Sequence, residues 1–141
     1  MDKALIVIAE DDVDDRFLVK TAFEESGYTD TLMFVENGVE LLELLQKQQK
    51  EGVMALPNLI LLDLNMPKKD GREALREIKQ DATLCKIPVI IFSTTNNMQE
   101  IARCYETGAN SYITKPNSFE QLINILATVR NYWISINSSA I

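Results

Sequence analysis

The chain has 141 residues, 46% of them hydrophobic, and a formal net charge of -7. That length fits one domain with a real core, and the acidic balance argues against nonspecific binding to nucleic acid. No apolar run approaches the roughly 18 residues of a membrane span, and the sequence contains no histidine, which excludes histidine metal ligands, general bases and phosphodonors. Cys85 and Cys104 have no metal-ligand spacing and read as reduced thiols of a cytoplasmic protein. The short N-terminal apolar run meets an acid at once and does not read as a signal peptide.

Residues 4–9 form the first apolar run, and it ends in the acidic cluster Glu10-Asp11-Asp12. A helical segment follows, with Leu18, Ala22 and Phe23 on its apolar face and Gly27 as its stop. A second run, residues 32–35, precedes a helix whose face is Val39, Leu42 and Leu45. Residues 47–58, with Gly52 and Pro57, read as the longest loop. The third run, residues 59–62, delivers Asp63, and Asp70 with Glu73 then opens a helix in capping-box fashion.

The fourth run, residues 89–92, leads to Ser93, and a helix from about Asn97 to Thr107 stops at Gly108. Tyr112-Ile113 is a weaker fifth run leading to Lys115. Pro116 pushes Lys115 toward an extended backbone and allows a cis bond. The last helix opens at Ser118 and reaches about Ile136. Phe119, Leu122, Ile123 and Leu126 form its core stripe. Arg130 falls on the next position, so Val129 and Trp133 must continue it. A second stripe, Ile125, Val129, Tyr132 and Ile136, fits either a deeply buried helix or, the reading favoured, a symmetric homodimer through the C-terminal part.

Five apolar strands alternating with helices predict an α/β fold. It is a doubly wound, five-stranded parallel sheet with helices on both faces, flavodoxin-like. The first, third and fourth runs are the most uniformly apolar and belong in the centre, giving the order 2-1-3-4-5. In such a sheet the crevice at the carboxyl ends of the strands binds ligands. Glu10, Asp11, Asp63, Ser93 and Lys115 all fall there.

Carboxylates on neighbouring strand ends repel one another, and a hard divalent cation with oxygen ligands resolves the repulsion. Mg²⁺ fits, with Asp11 and Asp63 as direct ligands, Glu10 acting through water and the backbone carbonyl of Asn65 as a third protein oxygen. Asp63 is then placed as a nucleophile for phosphoryl transfer, with Lys115 supplying charge and Ser93 a hydroxyl. Each residue alone has a plainer reading. The acids could serve a helix dipole, Asp63 a helix cap, Ser93 a turn and Lys115 the solvated surface. Their convergence on one sheet edge outweighs those readings.

Several segments carry a resemblance to a known family. They are Val7-Ile8-Ala9-Glu10-Asp11-Asp12, Leu61-Leu62-Asp63-Leu64-Asn65-Met66-Pro67, Asp70-Gly71, Pro88-Val89-Ile90-Ile91-Phe92-Ser93-Thr94 and Gly108-Ala109-Asn110-Ser111-Tyr112-Ile113-Thr114-Lys115-Pro116. Over roughly residues 3–130 the chain resembles the receiver domain of two-component response regulators. The resemblance implies that Asp63 accepts phosphate from a sensor histidine kinase with Mg²⁺. It makes Ser93 the switch hydroxyl and Tyr112 the aromatic switch. On phosphorylation Ser93 would move toward the phosphate and Tyr112 would rotate inward.

Within the family the chain looks most like the single-domain regulators of cyanobacterial and bacterial phytochromes. The features are Asp70-Gly71-Arg72-Glu73-Ala74-Leu75, Cys104-Tyr105-Glu106-Thr107-Gly108-Ala109-Asn110 and Tyr132-Trp133. Residues 135–141 lack that group's apolar-Pro ending. The expected organisation is one receiver domain over residues 1–141 with a helical extension from about 130. It would be a stoichiometric phosphoacceptor with slow self-dephosphorylation, not an enzyme, and would relay its signal through protein contacts.

Two rivals make distinct demands. An aspartate-nucleophile phosphatase needs a second acid two residues after the nucleophile, where this chain has Asn65. A flavin-binding relative needs a Ser/Thr- and Gly-rich loop after the first strand, where this chain has acids.

Overall fold

The computed structural model describes residues 4–141. Five strands, β1 (Leu5–Ala9), β2 (Thr31–Val35), β3 (Leu59–Leu62), β4 (Val89–Ser93) and β5 (Ser111–Thr114), alternate with five helices. These are α1 (Val13–Glu25), α2 (Gly38–Glu51), α3 (Gly71–Gln80), α4 (Met98–Thr107) and α5 (Phe119–Arg130). All strand pairs are parallel, in the order β2-β1-β3-β4-β5. The expected flavodoxin-like topology is therefore the observed one.

The three central strands bury every residue but Leu5, as continuous apolar strands covered on both faces must. Their side chains divide with the two-residue period of a strand. Val7, Ala9, Ile60, Leu62, Val89 and Ile91 pack toward α2 and α3. Ile6, Ile8, Leu59, Leu61, Ile90 and Phe92 pack toward α1 and α5. Each such aliphatic side chain contributes about 1.5–3 kcal/mol of burial.

The helices start where capping side chains allow. Asp12, Asn37, Asp70, Asn97 and Ser118 each accept a backbone N–H of the following first turn. Glu73 follows Asp70 at the right spacing, but Asp70 caps α3 by its own carboxylate, which accepts from the Arg72 and Glu73 N–H groups. Gly108 ends α4 at φ 121°, a backbone that a residue with a Cβ avoids.

Several expectations need correction. The buried face of α1 is Val19, Ala22 and Phe23, and Leu18 is exposed. In α2 it is Leu41, Leu42 and Leu45, and Val39 is exposed. Both slips are one or two positions on the helix wheel, and the way each helix lies on the sheet decides them. The expected loop from Lys47 begins only after Glu51, because α2 continues that far and a short 3-10 turn, Val53–Ala55, follows. No peptide bond among the described residues is cis, so Lys115–Pro116 is trans.

The C-terminal helix differs most. Phe119 is exposed, whereas Leu122, Leu126 and Val129 are buried and Trp133 packs against the same core. Arg130 is itself buried. Its guanidinium pairs with both Asp30 oxygens at 2.8 and 3.0 Å, stacks 4.5 Å over the Tyr28 ring and donates to Ser135 at 3.0 Å. Beyond it the helix widens into a π-helical turn, Asn131–Ile136. Ile125 also joins the core, leaving Tyr132 and Ile136 exposed.

Candidate functional site

The acids and Lys115 are set by ladder hydrogen bonds that continue one residue past the strands. The Glu10 N–H donates to Val35 at 2.9 Å, Asp63 to Ala9 at 3.1 Å and Lys115 to Ser93 at 2.9 Å. Their side chains therefore emerge together at the carboxyl edge of the sheet. Carboxylate oxygens of Glu10, Asp11 and Asp63 lie within 4.8 Å of one another. Glu10 and Asp63 are buried, and Asp11 is exposed.

Lys115 closes the cluster. Its ammonium bonds Glu10, lies 2.9 Å from Asp15 and stands 3.5 Å from Asp63. Burial pushes the Glu10 carboxyl up to about 7; the Asp63 charge adds to the rise and Lys115 opposes it. Burial alone would lower Lys115, but its bonds to Glu10 and Asp15 prevail and hold it above the ordinary lysine value.

The Asp12 N–H donates to the Glu10 carboxylate at 3.1 Å, but the Asp12 side chain turns to another task. It is the cap of α1, accepting from the Asp14 and Asp15 N–H groups at 2.8 and 3.0 Å. Asp15 belongs to the dense acidic stretch of residues 10–15, one helical turn after Asp11, but the sequence assigns it no individual role.

Ser93 is fully buried at the end of β4, and its hydroxyl accepts the Thr95 N–H at 3.3 Å. The Asn65 amide donates to the Thr95 hydroxyl at 3.0 Å. The Tyr112 hydroxyl donates to the Thr95 carbonyl, and the Tyr112 N–H donates to the Tyr105 hydroxyl at 3.0 Å. Burial raises the Tyr112 phenol above its ordinary value. Thr95, unremarked in the sequence, thus touches three of the expected site residues, Asn65, Ser93 and Tyr112.

Gly71 explains how α3 approaches the site so closely. A Cβ there would lie 2.2 Å from the Asp63 carbonyl oxygen and 2.8 Å from the Leu64 Cα. Its N–H donates to the Leu64 carbonyl at 2.9 Å. On the other side, a cavity of about 190 Å³ between α1 and the β5–α5 loop shares Glu10, Asp15 and Lys115 with the cluster.

Three carboxylates at this spacing, two of them beside the Lys115 ammonium, suit a hard divalent cation. Comparison with known proteins bears on this directly. Residues 6–127 match the response regulator receiver domain.

This chain belongs to the response-regulator receiver family.

It is 36% identical over 130 residues to response regulator Rcp1 of Synechocystis, covering 92% of this chain and 88% of that protein. It is 35% identical over 138 residues to the probable methanogenesis regulatory protein FilR2 of Methanothrix harundinacea, covering 98% and 88%. The phosphorylated cyanobacterial phytochrome response regulator RcpA superposes with a TM-score of 0.90 at 36% identity, covering 99% of this chain and 100% of that one. The Mn²⁺-bound form of Rcp1 gives 0.86 at 34%, covering 98% and 99%. A related response regulator thus takes a divalent metal, and Glu10, Asp11 and Asp63 form an acidic cluster here. Receivers of this family are phosphoacceptors served by sensor histidine kinases. Among the described residues no helix is long and apolar enough to cross a membrane.

Proposed function

We propose that this protein is a response regulator in which Asp63 accepts a phosphoryl group from a sensor histidine kinase. The carrying observation is the Lys115 ammonium set against Asp63 and Glu10, with Asp11 beside them at the sheet edge. The chain has no histidine, so the phosphoryl must come from outside. An Asp63 carboxylate oxygen attacks phosphorus as the bond to the donor's imidazole nitrogen breaks. The electron pair stays on that imidazole, which takes a proton.

Mg²⁺ is the cation proposed for Glu10, Asp11, Asp63 and the Asn65 carbonyl, and when bound it supplies positive charge to the transferred group. Lys115 neutralises one phosphoryl oxygen, and Ser93, by turning from the Thr95 N–H, donates to another. That turn loosens the Thr95 contacts that hold Tyr112. The surface formed by α4, β5 and α5 then changes. The group is stoichiometric and is lost slowly by hydrolysis.

The kinase is proposed to be a phytochrome-type sensor, on the strength of the RcpA likeness, and this protein is proposed to act in the cytoplasm. We also propose a homodimer through the C-terminal part. It is supported by Tyr132 and Ile136, which are 47% and 62% exposed just beyond the core stripe.

To test the core of this reading, the protein is treated with a small acyl phosphate and Mg²⁺ and weighed. Wild type should gain one phosphate and Asp63→Asn none. Equal gain by both would refute it. Transfer from a purified phytochrome kinase, compared with an unrelated kinase, tests the partner.

A further inference from the structure

Lys115 offers three N–H donors and faces three carboxylates. Glu10 and Asp15 accept from it, whereas Asp63, 3.5 Å away, accepts no hydrogen bond from it. One donor is therefore free on the side of the phosphoacceptor. Glu10 and Asp63 belong to the carboxylate trio suited to a cation, and Asp15 does not. A cation held by that trio competes with Lys115 for Glu10. Asp15 is the partner left to fix the ammonium.

The Asp15 backbone is fixed in turn, because its N–H donates to the capping Asp12 at 3.0 Å in the first turn of α1. Its side chain is 39% exposed, while the Lys115 side chain is 12% exposed. An ion pair so open to water adds little to stability, so its value lies in where it holds the lysine. We propose that Asp15 is a positioning residue for phosphoryl transfer, holding Lys115 so that its free N–H points to the incoming phosphoryl oxygen on Asp63. This rests on the phosphoacceptor reading above.

The test uses the full chain, a small acyl phosphate and Mg²⁺, with phosphate gain followed by mass at low and high salt. High salt separates geometry from the donor anion's attraction to a less acidic site. Asp15→Ala should slow phosphate gain on the order of tenfold, since misplacing one catalytic charge is costly. Its thermal midpoint and its Mn²⁺ affinity by calorimetry should match wild type. Asp15→Asn, whose amide oxygen still accepts from the ammonium, should recover most of the rate at high salt.

An Asp15→Ala rate equal to wild type at high salt overturns the proposal. So does a parallel loss of Mn²⁺ affinity, which would make Asp15 a cation ligand, and so does Asp15→Asn performing no better than Asp15→Ala. Phosphate gain by Asp63→Asn would instead sink the underlying reading, so the two failures are separable.

Discussion

Gly71 is the residue on which the site's shape depends most directly. Its missing Cβ lets α3 press against the backbone of Asp63 and Leu64, with no flexible side chain in between to yield. Gly71→Ala should cost about 1–3 kcal/mol in a urea titration, as overpacking does. Phosphate gain should fall further than stability does, because the residue that moves is Asp63. The hydrogen bonds of Tyr112 make a gentler case. Tyr112→Phe removes only the donor to Thr95 and should cost about 0.5–1.5 kcal/mol, measured the same way. The sequence showed Asp63, Ser93 and Lys115 because each comes at the end of an apolar run. It hid Thr95 and Asp15, whose importance comes from contacts that no spacing rule reports.

At the scale of elements, the Arg130–Asp30 pair joins the end of α5 to the start of β2. The Ala4 N–H also donates to Asp30, at 3.2 Å. Removing one partner of a buried pair strands the other charge, so Arg130→Met should destabilise by about 3–5 kcal/mol. The Arg130 hydrogen bonds hold the Asp30 carboxyl below its usual value, against burial. Asp30 in the unfolded chain takes up protons near pH 4, before the folded chain does. The stability it contributes is therefore present above about pH 4 and is lost as pH falls through the lower folded value. Urea midpoints followed from neutral pH to about pH 3 should drop more steeply for wild type than for Arg130→Met. The apolar periodicity of α5 could place Arg130 on the core stripe. It could not supply the acid, a hundred residues earlier, that makes burial there tolerable.

For the whole molecule, the exposed pair Tyr132 and Ile136 carries the dimer prediction. Sedimentation velocity should show a dimer of the wild-type chain. Ile136→Glu should weaken it by at least about 2 kcal/mol if the residue is central to the contact. Phosphorylation should shift the dimer equilibrium by about 1–3 kcal/mol, and dimerisation should shift the free energy of Asp63 phosphorylation equally. A monomer under all conditions would remove the C-terminal interface from the account while leaving the receiver chemistry intact.

The order of the sheet and the meeting of Glu10, Asp11, Asp63 and Lys115 at its carboxyl edge were legible in the chain. Strand burial and strand-end position follow from local apolar pattern and the right-handed crossover rule. The tertiary structure decided which face of α1 and α2 is buried, why Arg130 turns inward and which carboxylate beside Glu10 accepts from Lys115. Those outcomes depend on distances between segments remote in sequence, and a chain read residue by residue carries no such distances.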